Sequence, residues 1–400
     1  MTVPPEQSPE VQTRFLPVGL DRLLEDLLAD VVGEPQRAAF ERFGKIWVAL
    51  FHLGMRTDLS ELRRVYSPFD PDLEWLPVAQ PEERAGARAE LERRLRALLE
   101  RAHFVEATRD DLNRALTKIS PQGLAVSVDL DELDLFALYY RGVHETMARH
   151  RDPRALWLRW RESKQAIYRR VVLLIEVKAR ADNQPGMDPG HIYLKLFKDV
   201  PRSDLEMLLP NTKVRMRIFD KVRLGVTGGG GTIGGVMATV TKLGVAASPM
   251  TWAVALGGLC AVLWRQLAKI FTQRTKYMAT LAQRLYFHTL DNGFGVLTRL
   301  VETAEEEECK EVLLAAAHLV RDGAMSPEEL DRRAEAWIQG TYGLSVDYDV
   351  RGGVQKLRQE GLLLEAEAGE ESVRMRSLED AHRRLDKTWD AVFDSKRASG

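Results

Sequence analysis

The chain has 400 residues, 57 Lys and Arg against 59 Asp and Glu, and a mean hydropathy of −0.26. That length allows two or three domains, and the near-neutral balance gives no global reason to expect a polyanion partner. Two cysteines, Cys260 and Cys309, exclude a disulfide framework and fit a reducing compartment.

Charge is unevenly placed. Residues Tyr140–Leu224 carry 19 basic and 10 acidic side chains, a net of +9, whereas Val301–Gly400 carry 14 and 23, a net of −9. No acidic residue occurs between Lys221 and Leu290. A basic middle, an acid-free stretch and an acidic tail therefore follow one another. The first ten residues are rich in Pro and Glu and predict no secretory signal.

In chain order, Leu20, Leu23, Leu24, Leu27 and Leu28 recur at helical spacing. Helices are expected over Gln36–Leu53, Asp58–Val65 and Glu82–Ala102. The prolines of Tyr66-Ser67-Pro68-Phe69-Asp70-Pro71-Asp72 break the pattern, with Asp70 and Asp72 as turn and cap residues. Alternation at Leu124–Val128, Leu135–Tyr140 and Ile192–Phe197, with a β-branched run at Ile167–Val177, predicts strands. Near the end, helices are expected at about 305–321, from Ser326-Pro327-Glu328-Glu329 to Gly340, at Asp349–Glu360 and at Leu378–Phe393. Ser at N-cap, Pro at N1 and Glu at N3 mark a strong helix start. Leu362–Leu364 and Val373–Met375 read as a wing.

Leu224–Thr241 is 18 residues without a charge and Leu243–Trp264 another 22, separated by Lys242. As helices these reach about 27 and about 33 Å, enough for a bilayer core of about 30 Å. Thr227, Gly231, Gly235 and Thr239 form one small-residue stripe, and Ala253, Gly257 and Ala261 another, suited to close helix contact or to an oligomer interface. Lys213, Arg215, Arg217, Lys221, Arg223, Arg265 and Lys269 flank the segment as headgroup contacts and place both ends on the cytoplasmic side.

The sequence offers little chemistry. Gly229–Gly234 matches a dinucleotide fingerprint formally but lacks the acidic residue that would hold a ribose. His144-Glu145 and His150 are six apart, not the four that a zinc helix needs. Asp129, Asp131 and Asp134 lack the glycine and closing Glu of a calcium loop. No catalytic, cofactor or metal residue is assigned, and no cofactor is expected. The acidic charge of the C-terminal unit favours a protein partner over nucleic acid there.

Three blocks, Tyr66–Asp72, Tyr139-Tyr140-Arg141-Gly142 and Ile192–Pro201 continued by Asp204–Met216, resemble the transmembrane-protein-143-like family. The resemblance implies a membrane protein with two spans after Pro210-Asn211-Thr212-Lys213, and carries no catalytic residues. The expected fold is therefore α+β and mainly helical. It comprises a helical region (1–102), a small α+β domain (103–222), a transmembrane helical hairpin (223–265), a basic juxtamembrane helix and linker (266–304) and a winged-helix-like acidic domain (305–400). The expected role is an oligomeric, membrane-anchored scaffold or partner-binding protein in a bacterial inner membrane. A channel of oligomerised glycine-rich hairpins is the alternative, and a membrane-bound enzyme the second.

Overall fold

The computed structural model describes residues 14–74, 81–108, 125–127, 133–151, 160–178, 187–202, 205, 208, 213–215, 264, 286–364 and 372–392. Helix α1 (Leu20–Asp30) buries Leu23 and Leu27. Helix α2 (Glu34–Tyr66) has 33 residues and runs straight through the region where the sequence suggests two helices. Gly54, in its middle, costs about 1 kcal/mol in helix propensity. Burial on both sides of Gly54 outweighs that. Phe40, Phe43 and Trp47 enter one core, while Met55, Leu59, Leu62 and Tyr66 enter a second. Helix α3 (Pro81–Arg101) adds Leu91, Leu95, Leu98 and Leu99 to the second core.

Five antiparallel strands form the main sheet, in the order β1 (Val105–Glu106), β3 (Leu133–Arg151), β4 (Trp160–Val177), β5 (Ile192–Pro201) and β7 (Thr289–Asn292). The central strand β4 is apolar on both sides, as expected for a strand covered on both faces. Val172 and Leu174 join the core under α3, and Val171, Leu173 and Ile175 join a third core on the opposite face with Phe197, Val200 and Leu205. A separate pair is formed by β2 (Ala125–Ser127) and β6 (Lys213–Arg215).

Helix α4 (Gly293–Asp322) follows β7 directly and is 30 residues long, beginning twelve residues before the expected position. The Asp72 and Asp70 carboxylates lie against Gly293 in its first turn, where negative charge complements the helix dipole. Its first half supplies Val296, Leu297 and Leu300 to the second core, and its second half supplies Val312, Leu313 and Ala316 to the first. Helices α2 and α4 thus thread both cores. The remainder is α5 (Pro327–Tyr342), α6 (Arg351–Gln359), the pair β8 (Leu363–Leu364) and β9 (Arg374–Met375), and α7 (Leu378–Ala391). Ser326 caps α5 by accepting from the Glu329 N–H at 3.2 Å, and Pro327 stands in its first turn. These last elements close over the first core together with α1 and the first half of α2.

The membrane architecture expected from the sequence is corrected. Among the described residues, no helix is long and apolar enough to cross a membrane. The two longest helices are amphipathic: α4 carries Glu302, Glu305, Glu306, Glu307, Glu308, Lys310 and Glu311 within three turns, and α2 is charged on both sides of a ten-residue stretch, from Glu34 to Lys45 and from Arg56 to Arg64. A membrane-spanning hairpin, the membrane and transmembrane descriptions, and placement in a bacterial inner membrane are accordingly withdrawn. The proposed spans, with Thr227, Gly231, Gly235, Thr239, Ala253, Gly257 and Ala261, lie outside the described residues, except for an exposed helical Trp264.

Candidate functional site

The acidic run of α4 is where the parts of the molecule meet. Glu307, 1% exposed, accepts from Arg141 of β3 at 2.7 Å, from Lys310 at 3.1 Å and from the Leu16 N–H at 3.4 Å. Lys310, 2% exposed, also reaches Glu306 at 3.0 Å and donates to the Leu16 carbonyl at 3.0 Å. At the next residue after Glu307, Arg101 of α3 grips Glu308 with two bonds, at 2.8 and 3.0 Å, and Asp58 of α2 at 3.1 Å. Lys356 of α6 donates to Glu311 at 3.1 Å, and His103 lies 3.3 Å from the same carboxylate. Burial raises the Glu311 carboxyl, and His103 and Lys356 more than offset this, holding it below the ordinary value. For Arg101, burial acts against the charge, but Glu308 and Asp58 outweigh it and the net shift is upward. This belt joins the N-terminal segment, α2, α3, β3 and α6 to one helix. Buried pairs of this kind add little net stability but are costly to break singly.

Helix α6 can reach α4 because of Gly352 and Gly353. A Cβ on Gly353 would stand 2.5 Å from the Glu311 carbonyl oxygen, and one on Gly352 would stand 2.5 Å from its Oε2.

Beside the belt lies a cleft of about 610 Å³. Residues Phe15–Gly19 form one wall and α4 another, through Arg299, Thr303 and Lys310. The third wall is the sheet, through Arg141 and His144 of β3, Arg169 and Arg170 of β4, and Asp199 of β5. Gly142 makes this wall possible. Its φ of +68° is left-handed, and a Cβ there would stand 3.0 Å from the Phe15 ring. The Phe15 ring in turn stacks 4.1 Å from the Arg141 guanidinium. Burial lowers the Arg141 pKa, partly offset by Glu307, and burial with the neighbouring Arg169 lowers that of His144.

The cleft sits at the root of a projecting ribbon. Strand β5 stops pairing with β4 at Ile167–Pro201, whereas β3 and β4 continue together for seven further pairs, to Arg151–Trp160. At about 3.4 Å per residue the extension is about 24 Å. Among the described residues no third strand pairs with it. Met147 is 59% exposed and Lys164 pairs with Glu145 at 3.2 Å.

Of the residues singled out from sequence, Lys213 and Arg215 lie on β6, paired with Ser127 and Ala125 of β2. Arg217, Lys221, Arg223, Arg265 and Lys269 fall outside the described residues. His144 and His150 are both on β3 rather than on a helix. Among the described residues no group of His, Cys, Asp or Glu is placed to hold a metal. The belt residues were missed; of the cleft residues, His144 was weighed only as a metal ligand, and Arg141, Leu196 and Asp199 stand inside the family-like blocks without a role assigned. Two other blocks also meet: the Tyr66 hydroxyl donates to the Ile192 carbonyl at 2.9 Å.

No solved structure matches the chain. A family model described as a protein of unknown function (DUF3754) matches residues 168–295, from β4 through β5 and β7 to the first turn of α4, a stretch that contains part of the sheet wall of the cleft.

Proposed function

We propose that this protein is a partner-binding scaffold that associates with further copies of itself, and that the β3–β4 ribbon is its docking element. The ribbon's extension beyond the third strand carries this reading. A two-stranded ribbon is marginal by itself in water, and gains stability when another surface covers it. Residues 144–166 hold six basic side chains (Arg149, Arg151, Arg154, Arg159, Arg161 and Lys164) against three acidic ones (Glu145, Asp152 and Glu162), a net of +3. The last hundred residues carry the opposite sign, with Glu328, Asp347 and Asp349 more than half exposed. Basic ribbon against acidic C-terminal unit is thus the pairing that charge favours, and it gives association that weakens with salt.

Light scattering on the full chain tests this across protein and salt concentration. The expected result is an oligomer at low salt that dissociates as salt rises. Lys164→Glu combined with Met147→Asp, both on exposed positions, should weaken association by about tenfold or more. A chain that stays monomeric throughout, or an oligomer indifferent to both substitutions, overturns the reading. A monomer that instead binds nucleic acid through the ribbon would replace it.

A further inference from the structure

We propose that the Arg141 cleft is a binding site for a small phosphorylated molecule, with the phosphate group seated against Arg141, His144, Arg169 and Arg170. Three observations carry it, none of which depends on the ribbon. The first is Arg141 itself. It is 9% exposed and spends its Nη2 on Glu307, but its Nε is buried and has no hydrogen-bond partner. Nearly all buried polar groups find partners, so an unpaired N–H on a buried guanidinium marks a place for an acceptor. The second is His144, three residues further along β3 and lining the same cleft, whose Nδ1 is also buried and unpartnered. Both side chains line one cavity, and each keeps an unpaired nitrogen just beneath its surface.

The third observation is the charge and size of that cavity. Arg141, Arg169, Arg170, Arg299 and Lys310 face Asp199, Glu306 and Glu307, five cations against three anions. Counting Asp291, which pairs with Arg299, leaves an excess of +1. Lys310 is committed to Glu306, Glu307 and the Leu16 carbonyl, so it neutralises the carboxylates at the back wall and is not itself offered to a ligand. Arg141 approaches from the buried end, and Arg169 and Arg170 come from the neighbouring strand. Donors from several directions suit a tetrahedral oxyanion better than a planar carboxylate, and arginine forks match phosphate oxygens. A volume of about 610 Å³ exceeds what one bare ion fills and lies within the range of small-molecule sites. Phe15, Leu196 and Leu300 provide an apolar side for the rest of the molecule.

The test is calorimetric and NMR titration of the full chain with inorganic phosphate and with phenyl phosphate, against acetate at matched ionic strength. Both phosphates should bind, phenyl phosphate more tightly, and acetate should not. Binding should shift the His144 ring resonances, a signal that bulk charge screening would not give. Arg169→Ala and Arg170→Ala alter exposed side chains and should each weaken binding about tenfold. Arg141→Lys keeps a cation for Glu307 but removes the Nε donor, and should weaken it further. If Arg141→Lys does not fold, the two exposed variants still decide the matter. Lack of phosphate binding at millimolar concentrations, equal binding of acetate, or affinity unchanged in both exposed variants would overturn the proposal.

Discussion

Glycines 54 and 353 stand in helices, and the same substitution at each should have opposite signs. Helix propensity alone favours Ala over Gly by about 1 kcal/mol at either place. Around Gly54, in α2, nothing lies within 4 Å of a built Cβ, so Gly54→Ala should realise most of that gain. Around Gly353, in α6, the Cβ would meet the Glu311 carbonyl oxygen at 2.5 Å, the Glu311 carbonyl carbon at 2.7 Å and the Val312 nitrogen at 3.0 Å. All three are backbone atoms of a helix packed on both sides, so α4 cannot yield and α6 must withdraw. Withdrawal opens the Lys356–Glu311 bond and loosens Val354 and Leu357 against the first core. Overpacking of this kind costs about 1–3 kcal/mol before the ion pair is counted. The assay is the urea midpoint of the full chain by far-ultraviolet circular dichroism, with the slope checked to be unchanged. The midpoint should rise for Gly54→Ala and fall for Gly353→Ala. A Gly353→Ala protein as stable as the parent would refute the close approach of α6 to α4, and with it the belt's link to the C-terminal helices.

Other consequences follow from the buried groups. Glu307→Gln removes the negative charge that Arg141 and Lys310 share and should cost about 3–5 kcal/mol, read as a lowered denaturation midpoint, because two cations are left buried without it. His318 is 1% exposed, and burial with the nearby Arg321 depresses its pKa to about 4 from 6.5. The unfolded chain therefore takes up this proton first as pH falls. The neutral-His contribution is intact above pH 6.5 and is lost progressively toward pH 4, roughly 3 kcal/mol in all. His318→Gln should flatten the stability profile over that window, and an unchanged slope would count against a buried neutral imidazole. Tyr66→Phe leaves the Ile192 carbonyl without its donor and should lower stability by about 1–2 kcal/mol, with the strongest loss of amide-exchange protection at the start of β5.

Local rules were legible wherever a few adjacent residues carry the decision. The Ser326-Pro327-Glu328-Glu329 start of α5, the β-branched run of β4, and the turn at Ser67–Asp72 all follow from capping, side-chain branching and proline geometry. Long-range facts were not legible. Separate helices were expected at Gln36–Leu53 and Asp58–Val65, because the continuity of α2 between them depends on cores supplied by α4 and by the C-terminal helices. The early start of α4 was hidden because Thr289–Asn292 becomes a strand only when β5 is there to pair with it. The length of the β3–β4 ribbon was hidden because its polar alternation resembles any solvated segment.

The apolar run between Leu224 and Trp264 shows how far composition reaches. Hydropathy reports the transfer preference of a segment, and the described helices gave no span to support a membrane reading. The acidic run Glu305–Glu308 makes the same point for charge. By itself the sequence determined that these carboxylates lie close together on one helix. Only the tertiary structure decided that Glu307 and Glu308 are buried, because the cations that make burial tolerable, Arg101 and Arg141, come from 207 and 166 residues away. The cleft exists for the same reason. Its walls are three segments distant in the chain, and no local pattern records that Phe15, Arg141 and Lys310 will meet.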